Sequence, residues 1–157
     1  MVASRLRETE QAKMTTERIA IAADHGGFEM KSTIVEELRK AGHEVLDLGT
    51  NSADSVDYPD FANALAETVK SGKAGRGVLV CGTGIGISIA ANRHKEIRAA
   101  LCRDTTDARL AREHNDANVL VLGGRTTGME TAKDIVNTFM TTPFSGGRHA
   151  RRVAKLG

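Results

Sequence analysis

The sequence predicts an α/β fold, namely a three-layer α/β/α sandwich around a five-stranded parallel, Rossmann-like sheet. Five short apolar runs recur along the chain, and the run at 77–80 is β-branched and short enough to be a fully buried strand. The segments between the runs are each long enough for one crossover helix, which neighbouring parallel strands require. Helices are therefore expected on both faces of the sheet.

The first two strands are predicted at 19–23 and 44–48. Between them, residues 28–41 place apolar side chains at helical spacing, and the helix stops at a glycine. A polar loop at 49–58 follows the second strand. Pro59 then fits the first turn of another helix, whose buried face is predicted to consist of five residues: Phe61, Ala62, Leu65, Ala66 and Val69.

The strand at 77–80 leads through a glycine-rich turn into a helix predicted at 87–91. Two further strand and helix pairs follow it. They are expected at 97–102 with 105–113, and at 119–122 with 128–140. Residues 18–157 are thus predicted to form one domain that ends in a basic helix. Residues 1–17 are polar, and we expect a leader outside the fold that is either a frayed helix or disordered.

Composition restricts the class of protein. The formal net charge of +2 does not indicate a nucleic-acid partner, and the apolar runs are too short to span a membrane. The two cysteines provide neither a disulfide framework nor metal-ligand spacing. Because the metal-ligand spacing is missing, no metal ion is expected. No signal peptide is evident, so a cytoplasmic protein is expected.

The glycine-rich turn at 81–86, Cys-Gly-Thr-Gly-Ile-Gly, has the strongest chemical signal in the chain. A strand that turns into a helix here leaves backbone N–H groups unpaired, and such a helix start attracts anions. A thiolate at Cys81 would also be favoured there. The turn lacks the lysine of a phosphate-binding P-loop. A dinucleotide fingerprint fits poorly because Ile87 replaces the third small residue, although Asp104 could supply its acidic partner.

In a parallel sheet, ligands bind beyond the carboxyl ends of the strands. Four polar segments are predicted to follow strands there: 24–25, 81–83, 103–104 and 123–125. Each has an ordinary explanation, since Cys81 could be a small buried apolar residue, Asp24 a helix cap and Arg125 a solvated side chain. His114 could simply interact with the carbonyl groups at a helix end. Their joint occurrence favours a functional site.

The C-terminal segment at 146–155 is basic. Arg148 and Arg152 are four residues apart, so a helix would place both guanidinium groups on one face, where they suit a phosphate. Stacking aromatic residues are missing beside them, which speaks against single-stranded nucleic acid. The segment therefore favours a small phosphorylated ligand over a nucleic-acid partner.

Five motifs, in this order, resemble the type B ribose-5-phosphate isomerases, whose wider family includes the galactose-6-phosphate isomerase subunits. The similarity extends from Arg18 to the C-terminus. It is carried by Asp-His-Gly-Gly at 24–27, Asp-Tyr-Pro at 57–59, residues 81–88, residues 113–118 and Gly-Gly-Arg-His at 146–149. The resemblance implies aldose–ketose isomerisation of a sugar phosphate without a metal or organic cofactor.

The resemblance also implies residue roles. Cys81 would move a proton between C1 and C2, Thr83 would assist proton transfer between O1 and O2, and His114 would open the sugar ring, with Asp24 nearby. The N–H groups of the turn would hold the enediolate: Gly82, Thr83, Gly84, Ile85 and Gly86. Asn115 would bind a sugar hydroxyl. Four residues would bind the phosphate: His25, Arg125, Arg148 and Arg152.

A homodimer is expected because the short C-terminal helix needs a supporting surface. The resemblance also implies a homodimer or homotetramer with the site at the subunit interface. The sequence does not select the sugar among ribose 5-phosphate, allose 6-phosphate, galactose 6-phosphate and erythrulose 4-phosphate. A module that binds a phosphate or a nucleotide without turnover is the alternative. It would have no need of a thiol, an imidazole and a carboxylate around the anion site.

Overall fold

The computed structural model describes residues 17–157, so the expectation for the leader concerns residues outside the described part, apart from Glu17. The strands are β1 (Arg18–Ala23), β2 (Glu44–Asp47), β3 (Arg76–Cys81), β4 (Ala99–Leu101) and β5 (Val119–Gly123). The helices are α1 (Phe28–Lys40), α2 (Tyr58–Lys70), α3 (Ile85–Ala91), α4 (Thr105–Asn115), α5 (Met129–Thr141) and α6 (Arg148–Ala154).

All strand pairs are parallel, and the sheet order is β2-β1-β3-β5-β4. One face is covered by α1, α4 and α5, and the other by α2 and α3. The predicted three-layer fold with five parallel strands is therefore confirmed. From β1 the chain moves to one side of the sheet and from β3 to the other, which makes the space between these two strands a topological switch point.

Most element boundaries agree with the prediction to within one residue, and three elements differ by two residues at one end. Helix α3 begins at Ile85 rather than 87, because Gly84 adopts a left-handed conformation (φ +77°) that ends the turn and caps the helix. Strand β4 is shorter than 97–102 because the backbone of Ile97 and Arg98 is bonded to His94 and to the Asn118 side chain. Helix α4 extends to Asn115, which is two residues beyond the predicted end.

The predicted basic helix is present as α6, and it packs on α4. The N–H of Ser145 donates to the Glu113 carbonyl at 3.1 Å just before α6 begins. At the start of the described chain, the Glu17 carboxylate pairs with the Arg76 guanidinium at 2.7 Å. Glu17 therefore contacts the sheet, although it lies within the segment expected to be outside the fold.

Candidate active site

The turns that follow β1, β3 and β5 interlock at the carboxyl edge of the sheet. A Cβ atom added to Gly26 would lie 3.0 Å from the Gly82 nitrogen, and one added to Gly124 would lie 2.5 Å from the Gly26 carbonyl oxygen. Only glycine allows such close backbone approach. These contacts bring Asp24, Cys81 and Arg125 to one site, as the strand ends predicted.

Asp24 is the buried carboxylate of this site, with 7 % of its surface exposed. Its Oδ1 accepts the N–H groups of Gly26 and Gly27 at 2.9 and 3.2 Å, so it also caps the turn before α1. The neighbouring His25 accepts the Val56 N–H through Nδ1 at 3.2 Å. Both side chains are thus held in fixed orientations at the switch point.

Cys81 ends β3 at the base of the glycine-rich turn. Its Sγ accepts the N–H of Gly84, the residue that caps α3, at 3.2 Å. The sulfur therefore lies within reach of a backbone donor at the start of α3. The Thr83 hydroxyl accepts the Ile85 N–H at 3.2 Å.

The turn keeps hydrogen-bond donors free for an anion. Among residues 17–157, the N–H groups of Thr83 and Gly86 donate to no acceptor. The Arg125 guanidinium covers Gly82, because a Cβ added there would lie 3.3 Å from Nη1. The Arg125 N–H also donates to the Gly82 carbonyl at 2.8 Å. A thiol, free N–H groups and a cation therefore surround one position.

The other cysteine has a different environment. Cys102 is almost fully buried after β4, and burial, followed by the negative charges of Asp107 and Asp104, raises the pKa of its thiol to about 12. This thiol remains protonated at neutral pH. Cys102 is therefore a suitable internal comparison for Cys81.

His114 and Asn115 lie at the opposite edge of the sheet. They end α4, and the next residues are bonded to the amino ends of the strands: the Asn118 N–H donates to Arg98, and its carbonyl accepts the Gly77 N–H. Strand β5, five residues long, separates these groups from the Cys81 turn by roughly 15 Å. Arg148 and Arg152 on α6 belong to the same amino edge. A single chain therefore does not bring the two sets of residues together.

His149 is a residue that sequence reasoning missed. Its ring stacks on that of His114, with centroids 4.3 Å apart and planes inclined by 13°. Desolvation, followed by the charges of His114, Arg148 and Arg152, lowers the pKa of His149. The sequence signal for it was its place in the Gly-Gly-Arg-His motif at 146–149, which gave it no role, since the contact forms through the packing of α6 on α4.

An exposed apolar face on α3 connects the two edges. Ile85 and Ile89 lie one turn apart and are 47 % and 52 % exposed, and the Tyr58 ring lies over Gly86 beside them. At the far end of the helix, Asn92 lines a cavity of about 370 Å³ together with Asn115 and Leu156. The face thus extends from the Cys81 turn to the His114 edge.

The described residues contain no group of three or more His, Cys, Asp or Glu side chains placed to hold a metal ion. Within the same part of the chain, none of the helices has the length and apolar character needed to span a membrane. Three arginines that line a cavity of about 630 Å³, Arg76, Arg98 and Arg112, bond to carboxylates and backbone carbonyls at the amino edge. They hold the fold together there.

The fold and the site define an α/β protein with an anion-binding turn beside a thiol, and comparison with known proteins identifies its class. A family model, Ribose/Galactose Isomerase, matches residues 19–156. The chain therefore belongs to this family of sugar-phosphate isomerases, as the motifs predicted.

Individual relatives are similar over nearly their whole length. Ribose-5-phosphate isomerase B of Escherichia coli is 47 % identical over 139 residues, which is 88 % of this chain and 93 % of the relative. D-erythrulose-4-phosphate isomerase of Pectobacterium atrosepticum is 44 % identical over 88 % of this chain and 92 % of its own. The structure of Clostridium thermocellum ribose-5-phosphate isomerase B superposes with a TM-score of 0.88 at 54 % identity, covering 89 % of this chain and 95 % of that one.

Proposed function

We propose that this chain interconverts ribose 5-phosphate and ribulose 5-phosphate through an enediolate, with Cys81 as the base. The observation that carries the proposal is the Gly84 N–H on the Cys81 sulfur at 3.2 Å, beside the free N–H groups of Thr83 and Gly86. The thiolate removes the C2 proton of the open-chain aldose and returns it to C1. The negative charge that develops on oxygen is stabilised by donors that are already oriented.

The other groups complete the reaction. The Thr83 hydroxyl transfers the proton between O1 and O2, and the Asp24 carboxylate assists ring opening from the carboxyl edge. His114 supplies the proton for ring opening, and Asn115 binds a sugar hydroxyl. Arg125 and His25 bind the phosphate together with Arg148 and Arg152.

This assignment requires a second copy of the chain, because His114 and α6 lie at the edge opposite Cys81. A two-fold axis perpendicular to α3 near Ile89 would reverse this helix of roughly 10 Å. The Cys81 turn of one copy would then lie beside the His114 edge of the other. The exposed Ile85 and Ile89 would be covered at the same time. We therefore propose a homodimer, or a homotetramer built from such dimers, with sites shared between subunits.

Deuterium exchange tests the proposed chemistry. With ribose 5-phosphate in D₂O, we expect ribulose 5-phosphate to form with deuterium at the carbon that receives the proton. A parallel panel of allose 6-phosphate, galactose 6-phosphate and erythrulose 4-phosphate identifies the preferred sugar. The last is included because one relative is an erythrulose-4-phosphate isomerase. A protein that binds these sugar phosphates but exchanges deuterium into none is a binding module, which contradicts the proposal.

The arginines of α6 provide a prediction about the phosphate. Arg148→Ala and Arg152→Ala should each raise KM about 10- to 100-fold, because a hydrogen bond to a charged group is lost. Arg151→Ala is the matched control, since Arg151 lies about 100° around the helix from Arg152 and should change KM less than about threefold. Steady-state kinetics measures all three. An equal increase in all three variants would mean that α6 contributes only a diffuse positive field.

A further inference from the structure

Lys31 is a charged residue that the proposed reaction does not use. It lies in the first turns of α1, only 2 % of its surface is exposed, and its ammonium bonds to both carboxylate oxygens of Asp47 at 2.8 and 2.7 Å. Lysine is almost never fully buried unless it is paired. The Asp47 side chain is 31 % exposed, so the pair lies at the edge of the core, where an ion pair is commonly no more stabilising than well-packed apolar side chains.

Asp47 links Lys31 to the loop that follows β2. Its Oδ1 also accepts the Gly49 N–H at 2.9 Å. The Gly49 carbonyl accepts the Ala23 N–H, and the Thr50 N–H donates to the Ala23 carbonyl, both at 2.8 Å. The ion pair thus holds the start of the 49–57 loop against the residue that precedes Asp24.

The other end of the same loop holds His25. The Val56 N–H donates to its Nδ1 at 3.2 Å. Because a backbone N–H can only donate, Nδ1 is the unprotonated nitrogen, and the neutral ring carries its proton on Nε2. His25 therefore has one N–H, at Nε2, to offer to a ligand oxygen.

We infer that Lys31 and Asp47 are positioning residues that set the orientation and tautomer of His25 through the 49–57 loop. The inference rests on the proposed function, in which His25 binds the phosphate. The path runs from the Lys31 ammonium to the Asp47 carboxylate, to the Gly49 N–H, and along the loop to the Val56 N–H. No contact between Lys31 and the Cys81 turn is involved, so the pair acts on substrate binding and not on proton transfer.

The test uses Lys31→Met, which keeps the length of the side chain and removes its charge. Nitrogen NMR of the histidine ring should show the Nε2–H tautomer for His25 in the unsubstituted protein. In the variant it should show a mixture of tautomers, because the loop no longer holds the ring. KM for the sugar phosphate should rise about tenfold while kcat changes less than threefold. The NMR result does not depend on activity, so it stands even if the proposed reaction is wrong.

Two further variants make the result decisive. Lys31→Arg keeps the charge and should restore most of the single tautomer and the low KM. Arg76→Met is the matched control, because it breaks another largely buried ion pair, with Glu17, at the opposite edge of the sheet. It should lower the melting temperature without changing the His25 tautomer.

If Lys31→Met does not fold, the double variant Lys31→Met/Asp47→Asn decides, because it leaves neither charge without a partner, and the mixed tautomer is expected there. An unchanged tautomer and KM in the folded variant would overturn the inference. A change of tautomer that is equally large in Arg76→Met would also overturn it, since the effect would then follow general destabilisation.

Discussion

Replacing Cys81 by alanine should lower kcat by about 10³-fold, which is the range of effect expected for removal of a positioned general base. Its sulfur accepts the Gly84 N–H and lies beside the N–H groups that are proposed to hold the enediolate. The contacts proposed for the phosphate do not involve this side chain, so binding of ribose 5-phosphate should change only a few-fold. Steady-state turnover and a separate binding measurement on the variant distinguish the two effects.

Cys102→Ala is the matched control for this substitution. Both cysteines are buried at the end of a strand, but the Cys102 thiol has its pKa raised to about 12 and donates to the Ala100 carbonyl. Its removal should cost some stability and leave kcat within about twofold, since no proton transfer passes through it. Comparable losses of kcat in both variants would assign the effect at Cys81 to packing.

Mixing two inactive variants should restore activity if the site is shared between chains. Cys81→Ala removes the base from one edge of the sheet, and Arg148→Ala removes a phosphate contact from the other. In a mixed dimer, both changes fall in one site and the second site is intact. Random reassembly should therefore recover about one quarter of the original activity, and pure mixed dimers about one half. Turnover should be measured at a substrate concentration far below the KM of Arg148→Ala, where this variant alone is nearly inactive.

A second mixture controls for nonspecific recovery. Arg148→Ala and His114→Ala both lie at the amino edge, so every site in their mixed dimer contains one damaged half. This mixture should remain inactive. Mixed dimers of Cys81→Ala and Arg148→Ala that recover nothing would instead place both groups in a site formed by one chain.

The exposed face of α3 gives an independent check on the same arrangement. Ile89→Asp places a charge in the middle of the proposed contact and should convert the dimer into a folded, inactive monomer. Sedimentation and circular dichroism measure assembly and folding separately. A fully active monomer at assay concentration would contradict the requirement for a second copy.

The strands and the turns that follow them could be predicted from the sequence, because the signals are local. A buried parallel strand is a short apolar run, and a strand that passes through glycines into a helix exposes its N–H groups whatever surrounds it. Asp24, Cys81 and Arg125 were therefore expected at one edge of the sheet, and their backbones meet there through Gly26, Gly82 and Gly124. The start of α3 was misplaced by two residues, because the left-handed conformation of Gly84 cannot be recognised from apolar spacing.

Tertiary structure alone separated His114, Asn115, Arg148 and Arg152 from Cys81. A crossover helix returns antiparallel to its strand, so a residue at the end of the helix lies at the sheet edge opposite the carboxyl ends of the strands. The order of the motifs along the chain does not give the distance between these two edges. The stacking of His149 on His114 and the link from Lys31 to His25 were likewise invisible in the sequence. Each of these contacts joins residues that are distant along the chain or that belong to different helices, strands or loops. Local sequence determines which elements form, whereas contacts between side chains on different elements exist only after those elements have packed.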